Sequence, residues 1–416
     1  MRTLSVRVNK DSGDLWFILS YVLCLCVEPL RFVLESIGIS GGLLSLLSLV
    51  IVYLPMIIGY LLRQEISLDF FLVLIFAVLS FGVSLLMYPE YKHVMLSDNY
   101  SYSAVSQVIA PFGGIMMFLF VRNIKDPEKA EKPFVIAMIV LFCYYTMLVI
   151  QSGGVWEEAS TGRITVYSMS FSYGMLLPVL TFLTWGSKKK KVFPIILAAI
   201  GVMEILIYGS RGALAVLMCY LALYLVWGWT PKKKNRKVLV LVFLFSLMTV
   251  LLFGYELIID LLAELNRFLY SKGYSSRTLN VLTSTVLRSE DRVTTIWPKT
   301  IELIINSFGL GLGVYSDHYH IGGFCHNFIL EILIDFGIIA GGLLLYYIFK
   351  HIFFVLKNCK AGAWQNYFLI IIPFWFVRLM FSSSFWYEGT FWAFIAAAIG
   401  FRQYVKSQKE TTKSEV

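Results

Sequence analysis

Residues 205–220 read ILIYGSRGALAVLMCY. Two apolar runs meet there at Gly209-Ser210-Arg211-Gly212, and each extends far enough to form a membrane helix, which needs about 20 residues. The joint is helix punctuation, because glycines turn the chain and Ser210 is a good N-cap. Arg211 has two readings. It snorkels to the membrane surface, or it faces a polar cavity. The side of the membrane on which it falls bears on the choice.

The rest of the chain follows the same pattern. Hydrophobic residues make up 58% of the 416 and charged residues 15%, with a mean hydropathy of +0.74. A soluble chain carries about a quarter charged residues, so the sequence predicts an all-α polytopic membrane protein. The net charge of +9 sits mostly in short lysine clusters between apolar runs, which orients a membrane protein and argues against nucleic acid as a partner. The first apolar run, LWFILSYVLCLCVEPL, has no small-residue cleavage site after it and is expected to be a retained helix. Six scattered cysteines suggest no disulfide framework.

Apolar length predicts about twelve spans of roughly 17–25 residues. They fall near 15–34, 40–62, 68–88, 104–121, 133–150, 166–185, 192–209, 211–229, 238–257, 326–349, 365–383 and 386–404. With that count, Arg63, RNIKDPEKAEK, SKKKK, PKKKNRK, KNCK and the tail 405–416 all share one side with the N-terminus. That side is cytoplasmic, so the topology is N-in/C-in, with a single transmembrane domain over 1–404. Arg211 then lies outside, as does one large loop, 258–325, between spans nine and ten. Loops longer than about 60 residues escape the charge rule, so this one needs another account. It carries Arg267, Arg277, Arg288 and Arg292 against only Lys272 and Lys299, whereas the cytoplasmic clusters favour lysine. Arginine adds a planar fork that suits phosphate oxygens. The loop also has helical periodicity in ELIIDLLAELNRFLYSK and RVTTIWPKTIELIINSF, which predicts two amphipathic helices against the outer face.

Three groups near the end of this loop could carry chemistry. Arg288 and Arg292 are four apart and either bind an anion or pair with Glu290 and Asp291 on a solvated surface. Asp317, His318, His320, Cys325 and His326 have zinc-ligand chemistry, but their spacing fits no metal motif. A histidine acting as acid–base group or hydrogen-bond donor suits them better. Glu331 and Asp335 form an i,i+4 carboxylate pair in an apolar helix, where acids are costly and tend to mark function. Arg378, Glu204 and the pair Glu28 and Arg31 are similar, although Glu28 and Arg31 can neutralise each other within one helix.

GSRGALAV, then DRVTTIWPKTIELIINSFGLGLG, then HNFILEILIDFGIIAGG resemble the O-antigen polymerase (Wzy-type) and O-antigen ligase superfamily. The resemblance covers 205–345 in motif order, and the span count covers the rest. In that family an S-R-G arginine opens a span. A second arginine and a tryptophan precede a G-x-G turn in the external loop, and a His-Asn pair opens the next span. These match Arg211, Arg292 with Trp297, Gly311 and Gly313, and His326-Asn327 with Gly337. Where some ligases carry a threonine pair after the last glycine, this chain has Ala340-Gly341, which leans toward a polymerase.

The resemblance implies a C-type membrane glycosyltransferase of the bacterial cytoplasmic membrane, working on its outer face without metal or cofactor. Its donor is an oligosaccharide on undecaprenyl pyrophosphate, and its partners are membrane lipids and a polysaccharide chain-length regulator. Arg211 and Arg292 would take the pyrophosphate, helped by Arg288. His326 would be the base on the acceptor hydroxyl or a further phosphate donor, and Asn327 would orient it. Glu331 and Arg378, read from the cost of charge in an apolar run and not from the resemblance, would position substrate. A flippase for the same lipid-linked glycan is the competing class, but it has no need of an external loop with its own helices.

Overall fold

A computed structural model describes residues 13–63, 67–95, 104–151, 211–228, 255–273, 292–360, 362–381 and 383–414, with single positions at 196, 200, 279 and 283. Among the described residues every regular element is a helix and there is no strand. The architecture is that of a polytopic helical membrane protein.

The helices are α1 (Gly13–Leu25), α2 (Val27–Ser36), α3 (Gly41–Arg63), α4 (Leu68–Met87), α5 (Tyr91–Met95), α6 (Ala104–Arg122) and α7 (Glu128–Gln151). They continue as α8 (Arg211–Leu223), α9 (Tyr255–Ser271), α10 (Trp297–Asn306), α11 (Ser316–Ile321), α12 (Phe328–Asn358), α13 (Ala363–Phe381) and α14 (Gly389–Ser414). Short π-helical turns follow α8 at Tyr224–Gly228 and precede α10 at Arg292–Ile296. The chain divides into two compact units. Unit 1 is Met1–Val140, Ile296–Cys359 and Ser383–Val416; unit 2 is Leu141–Thr295 and Lys360–Ser382.

Among the described residues, α3, α4, α7, α12 and α13 are long and apolar enough to cross a membrane. The α1–α2 pair makes a sixth if its 73° bend is a broken span. The predicted spans near 104–121, 211–229 and 386–404 are helical over Ala104–Arg122, over Arg211–Gly228 and from Gly389 onward, while 166–185, 192–209 and 238–254 lie outside the described residues, apart from the single helical positions 196 and 200. Both amphipathic segments of the 258–325 loop are helical, as α9 and α10.

In unit 1 the long helices run between two polar ends. At about 1.5 Å per residue, α4 alone separates them by close to 30 Å, the thickness of a hydrocarbon core. One end is held by ion pairs. The Arg63 guanidinium donates to Asp14 and to the Asn123 carbonyl, and Asp14 also accepts from the Lys125 and Asp126 amides at 2.9 and 3.1 Å. Beside it Arg122 donates to Asp69 and to Gln403, each at 2.7 Å.

The other end is built on glycine. α12 is interrupted at Gly337, which sits at φ +78° and ψ 176°. Gly309, Gly311 and Gly313 in the preceding loop are also left-handed, and their segment threads into the gap. In an unbroken helix the Ile338 amide would donate to Ile334. Here it donates to the Gly309 carbonyl at 2.8 Å, and the Leu312 amide takes Ile334 at 2.7 Å. Gly313 donates to Asp335 at 3.0 Å. The loop thus satisfies backbone groups that a break would otherwise leave unpaired, a requirement that is strict inside a membrane protein. A Cβ on Gly337 would stand 2.4 Å from the Gly309 carbonyl oxygen, and one on Gly311 would stand 2.5 Å from the Gly337 nitrogen. Both positions need glycine for space as well as for φ.

Candidate functional site

The break places a cluster of polar side chains at this end of unit 1. α11, the 322–327 turn, the first turns of α12 and the 383–388 loop all contribute. Asp317, Glu331 and Asp335 are 3%, 4% and 5% exposed, and none has an arginine or lysine partner among the described residues. Each is held by hydroxyl, indole, amide or imidazole donors instead. Glu331 accepts from the Ser384 hydroxyl and, at 3.4 Å, from the Phe385 amide. Asp335 accepts from the Trp386 indole at 3.3 Å and from the Ser316 hydroxyl at 3.4 Å. Asp317 accepts from the Cys325 amide at 3.1 Å, the His318 amide at 2.7 Å and His318 Nδ1 at 2.8 Å.

This last contact gives His318 defined chemistry. Donation from Nδ1–H to a carboxylate leaves the basic lone pair on Nε2 and stabilises the imidazolium that forms when Nε2 takes a proton. Phe324 and Tyr315 pack edge-on against the ring, at centroid distances of 4.2 and 5.2 Å. Tyr315 adopts φ +70° just before α11, and its hydroxyl meets that of Tyr387. Burial pushes the Tyr387 phenol above its ordinary range. Burial likewise drives the Cys325 thiol well up, with the charges of Asp317 and Glu331 adding to the effect, so Cys325 is an inert thiol. All six cysteines are free of disulfides.

His326 follows Cys325 at φ +52°, a left-handed conformation that histidine enters more readily than most residues. Asn327, expected to orient it, is the N-cap of α12. Its side-chain oxygen accepts from the Ile329 and Leu330 amides at 3.1 and 3.3 Å. The Trp297 indole donates to the Cys325 carbonyl at 3.1 Å, which ties the start of α10 to this turn. On the outer rim Tyr91 donates to the Leu312 carbonyl at 2.9 Å and lies 3.3 Å from His320 Nε2. Burial, then Lys299, hold the His320 imidazole below its ordinary range, with Glu90 opposing. Among the described residues no three His, Cys, Asp or Glu side chains converge to hold a metal ion.

The arginines belong to unit 2. Arg211 is the first residue of α8, where the unpaired N–H groups of a helix start favour an anion. Arg292 opens the π-helical turn ahead of α10 and is partly exposed. Arg378 lies late in α13, its guanidinium 5.9 Å from the Phe374 ring centroid. Arg288 lies outside the described residues.

So the structure groups Glu331 and Asp335 with Asp317, sets His326 in the adjoining turn, and adds two features to a sequence reading that names Asp317 and His318 without pairing them. One is the Asp317–His318 pairing. The other is the 383–388 loop, which supplies Ser384 and Trp386 to the acids. Its signal was a short polar and aromatic string between two apolar runs, easily taken for a plain connection. Compared with known protein families, with curated proteins and with solved structures, the chain matches none.

Proposed function

We propose that this protein is a membrane glycosyltransferase that polymerises a surface polysaccharide, moving a glycan from undecaprenyl pyrophosphate to a sugar hydroxyl of another lipid-linked repeat unit. One observation carries the reading: a histidine–carboxylate pair and two further buried acids gather at one end of membrane-spanning helices, within the stretch where the sequence resembles the Wzy-type superfamily.

The acceptor hydroxyl attacks the anomeric carbon as the bond from that carbon to the pyrophosphate oxygen breaks. The hydroxyl proton passes to a histidine. His326 is the base that the resemblance points to, and His318, oriented by Asp317, offers the same chemistry from the same turn. Glu331 and Asp335 accept hydrogen bonds from sugar hydroxyls. Arg378 helps to position the sugar; negative charge grows on the departing lipid pyrophosphate, and Arg211 and Arg292, helped by Arg288, stabilise it without a metal. Each charge-assisted hydrogen bond contributes about 1.5–3 kcal/mol.

A deletion in the native host tests this, with surface and lipid-linked glycans run on a gel. Single repeat units in place of a ladder are expected. An intact ladder left on undecaprenyl pyrophosphate would make the protein a ligase, and repeat units trapped on the cytoplasmic side would make it a flippase. Arg211→Ala and Arg292→Ala should abolish polymer while leaving the protein inserted and abundant. Normal polymer from either variant would sink the pyrophosphate assignment.

A further inference from the structure

Beginning beside the acidic cluster at Phe385, α4, α12 and α14 enclose an apolar trough of about 760 Å3, counting its open mouth. Leu72 and Phe76 of α4, Ile348 of α12, and Trp392 and Ile395 of α14 form its walls. It runs from Phe385 and Phe391 to Ile399 and Asp69. Eight residues of α14 at about 1.5 Å each give a length close to 12 Å, nearly the depth of one leaflet of a core about 30 Å thick.

The two ends of the trough differ. The Phe385 end is apolar. At the other end Asp69, the one carboxylate in the lining, is already paired with Arg122. Beyond it stand two more cations, both exposed: Arg402, one turn past Ile399, and Lys350, one turn past Tyr347. Arg402 stacks near Phe354 and stands within electrostatic reach of Tyr347, and Lys350 lies over Tyr346. Neither Arg402 nor Lys350 has a carboxylate partner among the described residues at an ion-pair distance. A groove of one leaflet's length, dry along its walls and cationic at one end, has the shape and charge of an amphiphile with an apolar chain and an anionic head.

We propose that this trough is a binding site for an anionic phospholipid of the surrounding bilayer, with an acyl chain between α4, α12 and α14 and the phosphate held by Arg402 and Lys350. The proposal does not depend on the glycosyltransferase reading, because no side chain that lines the trough is used in that chemistry. The lipid braces α14 against α4 and α12 behind the 383–388 loop, so its loss is transmitted to Ser384 and Trp386.

Native mass spectrometry of the purified full chain, titrated with phosphatidylglycerol or phosphatidylcholine, tests the site. Phosphatidylglycerol should bind about tenfold more tightly or better, as expected for two basic side chains at an anionic headgroup. The double variant Arg402→Gln, Lys350→Gln should lose that preference. Both changes are on exposed side chains, so the fold is retained. Leu72→Trp, at a 57% exposed wall position, should weaken both lipids. Equal binding of the two lipids by the unaltered protein would overturn the proposal, as would an unchanged preference in the double variant. Soluble glycerol phosphate binding as tightly as the lipid would overturn the acyl-chain seat.

Discussion

The two ends of unit 1 bury charge in opposite ways. At the Arg63 end charges among the described residues face their opposites: buried Arg63 with buried Asp14, and partly exposed Arg122 with Asp69. At the glycine end Asp317, Glu331 and Asp335, all buried, share a neighbourhood and are held by hydroxyl, indole, amide and imidazole groups. Pairing is what a structure needs to bring charge out of water. Like charges gathered without an arginine or lysine among the described residues serve stability poorly, and so the second end is the one that reads as a site.

The largest effect expected from any single change tests the frame that holds that site. Gly337→Ala or Gly311→Ala should destabilise the protein by more than about 4 kcal/mol, because each adds a Cβ against a backbone that cannot yield. Chemical unfolding in detergent, together with the amount of full-length protein in membranes, measures this. A variant as stable as the parent would mean that the interlock is dispensable.

Next comes the Arg63 end. Arg63→Ala leaves Asp14 charged, buried and without its guanidinium, at a cost of about 3–5 kcal/mol. Replacing both partners with apolar residues should recover much of the loss. A double variant no better than the single one would show that the pair is not the source of the effect.

The comparison sharpens with Glu331→Gln and Asp335→Asn. Both amides keep an acceptor for Ser384 and Trp386 while removing like-charge crowding. Stability should therefore change by less than about 1 kcal/mol, whereas glycan transfer should fall by about a hundredfold. Loss of stability as large as that of Arg63→Ala, with transfer intact, would reverse the roles assigned to the two ends.

The smallest effect is a pH dependence. His320 binds protons less readily in the folded protein than in the unfolded chain, so its contribution to stability is present above the ordinary histidine range and is lost as pH falls through it. Thermal unfolding between pH 7.5 and about 5.5 should show a small decline that His320→Asn flattens. The same slope in both proteins would assign it to another group.

Much of the frame was legible from apolar run length, since 40–62 and 68–88 correspond to α3 and α4 almost residue for residue. The amphipathic helices of the 258–325 loop were legible from period, and the Glu331–Asp335 pair from the cost of acids in an apolar run. The bend after α1 was not, because composition is uniform across Cys26 and Pro29 lies inside α2 rather than at the turn. Gly337 was visible as a motif glycine but not as a break. That role depends on a partner, Gly309–Gly313, about 25 residues away. Asp14 lies among the polar residues that precede the first span, and nothing in its sequence neighbourhood marks it as buried against Arg63. Asn327 illustrates the same limit from the other side. A His-Asn pair suggests chemistry, but a residue preceding an apolar helical run is also where an N-cap belongs.

The interlock at Gly337 also bears on how the protein is made. The first turns of α12 and the remainder of that helix do not form a continuous ladder of their own, so the helix enters the bilayer with amides and carbonyls that only residues 309–313 can satisfy. Those residues precede α12 in the chain and are synthesised before it. The segment that completes the broken helix is therefore already made when α12 leaves the ribosome, so the chain carries its own partner for those groups before the span that needs them.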